Sequence, residues 1–271
     1  MTDVKWRAFF VLAAGISFAG ASAEAFSAEF PCLIEPHVQV SVSTAVEGVL
    51  DSVKVDKGDF VNQGEVVATL ESSVERVALA LARSRAASHV ALESAQVKLR
   101  RTRSKYQRAV ELSGKKFVSP DEIEELRSDV NLAELQVQAE TENEAYAELE
   151  LERVQALYYQ RFIRSPVNGV VVERLLTAGE FAQAQPILTL AQVDPLNVEV
   201  VLSSDMYGKV KEGMTAQIRP EEPLGGTYTA IVKVVERVID AGSGTFGVRI
   251  ELPNPGNALP AGLECRASFT H

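Results

Sequence analysis

Residues 47–70 read EGVLDSVKVDKGDFVNQGEVVATL, and residues 165–190 read SPVNGVVVERLLTAGEFAQAQPILTL. Sliding the first stretch forward by 121 places Gly48, Val49, Gly58 and Phe60 on Gly169, Val170, Gly179 and Phe181. A shift of 120 places Thr69 and Leu70 on Thr189 and Leu190. In each copy apolar residues alternate with polar ones, and turn residues such as Asp56-Lys57-Gly58-Asp59 divide the runs, the pattern of short strands. One copy is too small to bury a core. Two copies are expected to interlock as a compact β-sandwich, each covering the other's apolar face.

The segment between the copies changes period. In its second half Ile123, Leu126, Val130, Ala133, Val137, Glu140, Glu144, Ala147, Leu151, Val154 and Tyr158 fall at alternating spacings of three and four, a heptad seam interrupted only by its two glutamates. In the first half Ala78, Arg85, Leu92, Leu99 and Tyr106 recur every seven, with Val74, Leu81, Ser88, Ala95, Thr102 and Ala109 between them. The spacing predicts two helices of about 40 residues, each about 60 Å long, folded into an antiparallel hairpin. Ser72 with Glu75 fits a capping box, Gly114 a helix stop, and Ser119-Pro120-Asp121-Glu122 a second helix start, with Val118 and Ile123 placed as a hydrophobic staple. The turn is expected at residues 113–118. Charge separates the arms: residues 72–116 hold eleven Lys/Arg against three Asp/Glu, and residues 120–160 hold two Arg against twelve Asp/Glu. For any one residue that is a solvated helix surface. Taken together, it favours antiparallel pairing of the two arms over pairing of like with like.

Beyond the second copy, residues 196–202, 215–219, 227–238, 245–252 and 264–269 alternate as strands, with Gly213, Gly225-Gly226, Gly242 and Pro253-Asn254-Pro255-Gly256 at the turns. With a short helix near residues 204–210, they predict a small antiparallel β-barrel. The fold class is therefore mixed α and β and elongated: a split lipoyl/biotinyl-like β-sandwich, interrupted by a long antiparallel helical hairpin and followed by the barrel. The expected division is 24–43 as a lead segment, 44–71 with 163–191 as the lipoyl-like domain, 72–162 as the hairpin and 192–271 as the barrel.

The 271 residues carry a net charge of -10. That balance argues against nucleic acid as a partner, which needs clustered cations with little opposing charge. Lys5 and Arg7 precede an apolar run at residues 8–20 and the small residues Ala21-Ser22-Ala23, the pattern of a cleavable signal peptide over residues 1–23. Such a run is short for a bilayer span, which needs roughly 20 residues, although an uncleaved anchor stays open. The two cysteines, Cys32 and Cys265, could pair in an oxidising compartment, but sequence alone does not show that they meet. His37, His89 and His271 stand apart from one another and from the cysteines, so no metal site is expected.

Split half-motifs around a long hairpin, followed by the barrel segment LNVEVVL…VKEGMTAQIRP…DAGSGTFGVRIELPNPGNALPAGLECRASF, resemble the periplasmic adaptor, or membrane fusion protein, family of tripartite efflux pumps. The likeness covers residues 44–271. It implies a non-catalytic protein, without cofactor, that joins an inner-membrane transporter to an outer-membrane channel from the periplasm and assembles with itself as a six-membered ring. A transporter of resistance-nodulation-division type is the first expectation, and an ATP-driven exporter or type I secretion system the alternative. The family's tip motif, Arg-x3-Leu-x6-Ser, is matched by Arg108, Leu112 and Ser119, which the resemblance makes channel-docking residues. Each also has a plain reading: Ser119 as an N-cap, Leu112 as seam, Arg108 as one cation among many. Most family members continue into a membrane-proximal domain built from both chain ends. Here the chain stops after the last barrel strand, which is expected to leave residues 25–43 without C-terminal partner strands.

Rival readings fare worse. A biotin or lipoate carrier needs a lysine hairpin between the half-motifs, and Leu70 instead runs straight into a helix; Lys57 lies on the wrong turn. An enzyme lacks support, with no Gly-rich phosphate loop, nucleophile elbow or His–carboxylate pairing in the sequence.

Overall fold

A computed structural model describes residues 28–114 and 117–270. The expected signal peptide lies outside the described residues, as do Lys115, Lys116 and His271. Along the chain run β1 (Phe30–Val42), β2 (Gly48–Val53), β3 (Phe60–Val61), β4 (Val66–Leu70), α1 (Ser73–Ala86), α2 (Val90–Ser113) and α3 (Pro120–Tyr159). There follow β5 (Phe162–Arg164), β6 (Gly169–Arg174), β7 (Phe181–Ala182), β8 (Leu188–Ser203), β9 (Thr215–Pro220), β10 (Tyr228–Val235), β11 (Thr245–Leu252) and β12 (Leu263–Thr270). They form two compact units, one holding residues 36–196 with 254–261, the other holding the remainder.

In the first unit the two copies exchange strands. β2 pairs with β7, placing Val49 opposite Phe181, and β3 pairs with β6, placing Phe60 opposite Val170. The same reciprocity governs single hydrogen bonds. Gly58 N–H donates to Val171 O at 2.9 Å, and Gly179 N–H donates to Leu50 O at 2.7 Å. Asp56 N–H donates to the Asp59 carboxylate, and Thr177 N–H to the Glu180 carboxylate, at 2.7 and 2.6 Å. Both turns need a left-handed residue, supplied by Gly58 at φ 93° and Gly179 at φ 90°, where a Cβ is costly. Even the irregularities repeat: the β2–β4 ladder slips between Leu50 and Ser52, the β6–β8 ladder between Val171 and Glu173. The core drawn from both halves includes Leu50, Val61, Leu70, Val171, Ile187 and Leu190.

The hairpin leaves and re-enters this unit side by side, with Leu70 N–H donating to Arg161 O at 2.8 Å. α3 is a single helix of 40 residues, and every residue of its expected seam is buried or half-buried, Glu140 and Glu144 included. The first arm differs from expectation. It is two helices, interrupted at residues 87–89, with Ala87 and His89 at the ends of the break. Beyond it the expected seam residues Leu92, Ala95, Leu99, Thr102, Tyr106 and Ala109 do turn inward. Before it the inward residues are Ala78, Leu79, Ala82 and Ala86, so of the expected seam only Ala78 turns inward, while Val74, Leu81, Arg85 and Ser88 are exposed. The heptad counted back from Tyr106 fails because the break rotates α1 relative to α2. It falls where the facing seam is polar, and His89 Nδ1 meets Glu144 Oε1 there at 3.0 Å.

Two caps also differ from expectation. Ser72 makes no side-chain cap hydrogen bond; Glu71 accepts from Ser73 N–H at 2.8 Å instead, and Glu75 turns to Arg161. The hydrogen bonds from Ser73, aided by Arg161 and Arg76, hold the Glu71 carboxyl below its ordinary pKa. Gly114 ends α2 in a right-handed conformation, φ -57°, and so without the left-handed stop.

In the second unit the strand order is β1-β12-β9-β10-β11-β8, with β1 and β8 also paired, the pairing that closes a barrel. Buried residues alternate along its strands, as in β11, where Phe246, Val248, Ile250 and Leu252 turn inward. Residues 25–43 were expected to lack a C-terminal partner. Instead β1 pairs antiparallel with β12, Phe30 opposite Ala267 and Cys32 opposite Cys265, so the described part of that segment closes the barrel. The helix expected over 204–210 is only a three-residue 3₁₀ turn, Ser204–Met206. Tyr207, at φ -62° and ψ 129°, already has extended backbone and ends it, and Gly208 follows at φ 82°.

Candidate functional site

The end of the hairpin gathers the three residues singled out in the sequence. Arg108 and Leu112 are one turn apart on the last part of α2, on the same side of the helix. Arg108 Nη1 donates to Ser104 Oγ at 2.7 Å, which steadies the guanidinium along the helix surface. Leu112 is 45% exposed, so it does not fill the seam. Ser119 starts α3: its Oγ accepts from Glu122 N–H at 3.2 Å, Pro120 follows at the first helical position, and Asp121 and Glu122 sit in the positive field of the first turn. Ser119 thus has a structural duty of its own.

Sequence reasoning passed over the most prominent side chain at this end. Phe117 is 77% exposed, a large apolar side chain available to a partner surface. Beside it Ser113, Val118, Pro120 and Ile123 line an open depression of about 540 Å³. The signal in the sequence was a lone aromatic in a turn otherwise built of Ser113, Gly114, two lysines and Val118.

Two further anchors were not read from the sequence. Arg161, just after α3, donates to Glu75 Oε1 at 2.5 Å and to Glu47 O at 3.1 Å, and its own carbonyl accepts from Leu70 N–H. One residue therefore ties the hairpin's base to both ends of the first half-motif. Asn254, 2% exposed, was read only as part of a turn. Its N–H donates to Asp194, its amide donates to Val193 O and Leu259 O, and its Oδ1 accepts from Leu259 N–H. Full satisfaction is what makes a buried amide tolerable. In the barrel, Cys32 and Cys265 are joined as a disulfide, Cα atoms 4.9 Å apart on adjacent strands. Among the described residues no group of His, Cys, Asp or Glu is arranged to hold a metal ion, and no helix is long and apolar enough to cross a membrane.

What this geometry offers is contact surface: a long helical hairpin, with Leu112 and Phe117 exposed at its end, carried on the β unit. The class is that of a hairpin-bearing barrel-sandwich hybrid. Residues 38–192 match the CzcB-like barrel-sandwich hybrid domain, more than half the chain, and the protein belongs to that family. Among curated relatives, the multidrug resistance protein MdtE of Escherichia coli is 24% identical over 87% of this chain and 62% of its own length. The multidrug efflux pump subunit AcrA of Escherichia coli is 23% identical, over 88% and 61%. The chain spans less than two thirds of the length of these curated relatives, 62% of MdtE and 61% of AcrA. Among solved structures, MacA from Actinobacillus actinomycetemcomitans superposes with a TM-score of 0.74 at 22% identity, covering 89% of this chain and 77% of that one. The membrane fusion protein Spr0693 from Streptococcus pneumoniae gives 0.59 at 15% identity, over 90% and 99%. At such identities these likenesses speak for the fold.

Proposed function

We propose that the protein is the periplasmic adaptor of a tripartite efflux pump, joining an inner-membrane transporter to an outer-membrane channel protein, without catalysis or cofactor. The observation that carries this reading is the hairpin's end, where Arg108, Leu112 and Phe117 stand exposed on an arm that the β unit holds at its base. Export to the periplasm through residues 1–23, and association with the inner membrane by way of the transporter, belong to the same reading. So does assembly of six copies as a ring in the working pump. The transporter is first expected to be of resistance-nodulation-division type, with an ATP-driven exporter as the second candidate. The names of MdtE and AcrA, a multidrug resistance protein and a multidrug efflux pump subunit, support export as the task.

At the channel, Arg108 supplies a charge-assisted hydrogen bond of about 1.5–3 kcal/mol, Leu112 an apolar contact, and Ser119 a short side chain that permits close approach. The test is a comparison of charge reversals. Arg108→Asp should fold normally yet lose cross-linking to the channel and export, whereas Arg83→Asp, far down the same arm, should retain both. Equal loss in the two variants, with folding intact, would mean that the arm's general charge matters and that the docking residues are misassigned.

A further inference from the structure

The disulfide lies on the inside of the barrel wall. Buried and exposed residues alternate along the start of β1 and along β12. Cys32 and Ile34 turn inward from the first strand, and Cys265, Ala267 and Phe269 from the second. Cys32 is 8% exposed and Cys265 2%. Across the sheet Cys265 stands between Cys32 and the buried Pro220. An open depression of about 540 Å³ borders both cysteines, but the alternation turns Pro31, Leu33, Glu264 and Arg266 outward there. The chain is held on either side of the bond. Glu29 pairs with Arg219 at 2.6 Å, Phe30 packs on Phe269 with ring centroids 5.8 Å apart, and Ile34 O accepts from Gly262 N–H at 2.7 Å. Beyond β12, β1 also pairs with β8.

We infer that Cys32 and Cys265 are joined on the open chain, before β1 docks, by exchange with a disulfide-bearing oxidant, and that closure of the barrel then seals the bond against thiols. The chemistry sets the order. One thiolate of the chain attacks a sulfur of the oxidant's disulfide and expels the other sulfur as a thiolate. The second chain thiolate then attacks the chain's own sulfur in that mixed disulfide and expels the rest of the oxidant. Two chain thiols lose two electrons; the oxidant gains them and leaves as two thiols, taking up the two protons. Between the two steps the oxidant is bonded to Cys32 or Cys265, and in the closed barrel neither residue is exposed enough to carry it. Two facts of the sequence narrow the reaction further. The cysteines are 233 residues apart, so the bond waits until all the chain between them has reached the oxidant. The sequence has only these two, so one intramolecular pairing exists and the chain needs oxidation without reshuffling. In the reading above, export brings the chain to such an oxidant; the shielding and the order are tested without it.

The test uses the purified protein and two small reagents, dithiothreitol and oxidised glutathione, with thiols counted by mass after alkylation. Dithiothreitol should reduce the native protein at least about tenfold more slowly than the same protein in denaturing urea, because attack waits for the barrel to open. A smaller ratio would overturn the seal. The order is read from the reduced, denatured chain diluted into folding buffer. Oxidised glutathione added at once should form the bond at least about tenfold faster than when it is added after the circular dichroism has settled. Equal rates, with the β1 amides of the reduced chain protected from hydrogen exchange, would overturn the order, since the thiols would then react inside a closed barrel. Equal rates with β1 unprotected would uphold it, because closure would then be waiting for the bond. A failure of the export reading shows separately, as two free thiols in protein taken from cells, and leaves both rate comparisons as stated.

Discussion

The interlocked half-motifs and the hairpin inserted between them bury apolar side chains by opposite uses of the chain. In the half-motifs each half pairs its own strands, Leu50 with Leu70 and Val171 with Leu190, but the pairs that join the halves are remote: Val49 finds Phe181 and Phe60 finds Val170. In the hairpin each partner is reached by folding one arm back on the other about a single turn. The remote arrangement is partly redundant, since the β2–β7 and β3–β6 pairings, the Gly58 and Gly179 hydrogen bonds and the two ladder slips have counterparts in the two halves. The folded-back arrangement has no such duplicate, and its seam is only two helices wide. The core of the half-motifs should therefore respond to damage symmetrically and globally, and the hairpin locally.

The sharpest test of symmetry uses the paired leucines. Leu70 is 1% and Leu190 0% exposed, and truncation of either to alanine should cost about 2–5 kcal/mol, with closely similar values in urea unfolding. Leu79→Ala, in the hairpin, should cost about 2 kcal/mol and accelerate hydrogen exchange in α1 and the end of α3 alone. A large difference between the two leucine variants would break the equivalence of the halves. The barrel extends the comparison, because β1 and β12 also come from distant parts of the chain. Cys32→Ser should lower stability by about 2–4 kcal/mol, and thiol titration of the denatured, non-reduced protein should find no free thiol. Two titratable thiols would reject the bond.

A smaller effect probes where the symmetry ends. A Cβ on Gly169 would lie 2.3 Å from the backbone oxygen of Ala191, whereas on its counterpart Gly48 the nearest atom, at 2.9 Å, is the mobile end of the Arg161 side chain. Gly169→Ala should cost about 1–3 kcal/mol, measured by thermal unfolding, and Gly48→Ala distinctly less. Smallest is Ser119→Ala, which removes the N-cap of α3 at about 1 kcal/mol. Its signature is faster exchange in the first turn of α3 with the half-motifs unaffected.

How far the sequence could be read followed the same division. The seam of α3 was legible residue by residue, even at Glu140 and Glu144, because a helix without interruption keeps its phase for 40 residues. The first arm was legible from Leu92 onward and, before the break, at Ala78 alone. Its break at residues 87–89 has no glycine or proline to announce it and is matched to the polar seam across from it, a tertiary cause. Strand positions in the barrel were readable from alternation. The partner of β1 was not, since nothing local in residues 30–42 specifies a neighbour more than two hundred residues away. At the hairpin's end, the positions of Arg108, Leu112 and Ser119 followed from the turn signals. The exposure of Phe117 did not, because a lone aromatic reads equally well as core.

The hairpin leaves the β unit after Leu70 and returns at Phe162, on strands that lie side by side, Thr69 opposite Phe162. Nothing else in the half-motifs depends on how far the chain travels in the interval. Adding or deleting seven residues in each arm at matched levels would keep the seam in phase and move the tip by about 10 Å, leaving the strand exchange untouched. The molecule thus carries an adjustable ruler: its reach is a graduated quantity, stepped in heptads, that insertion and deletion can change without renegotiating the rest of the fold.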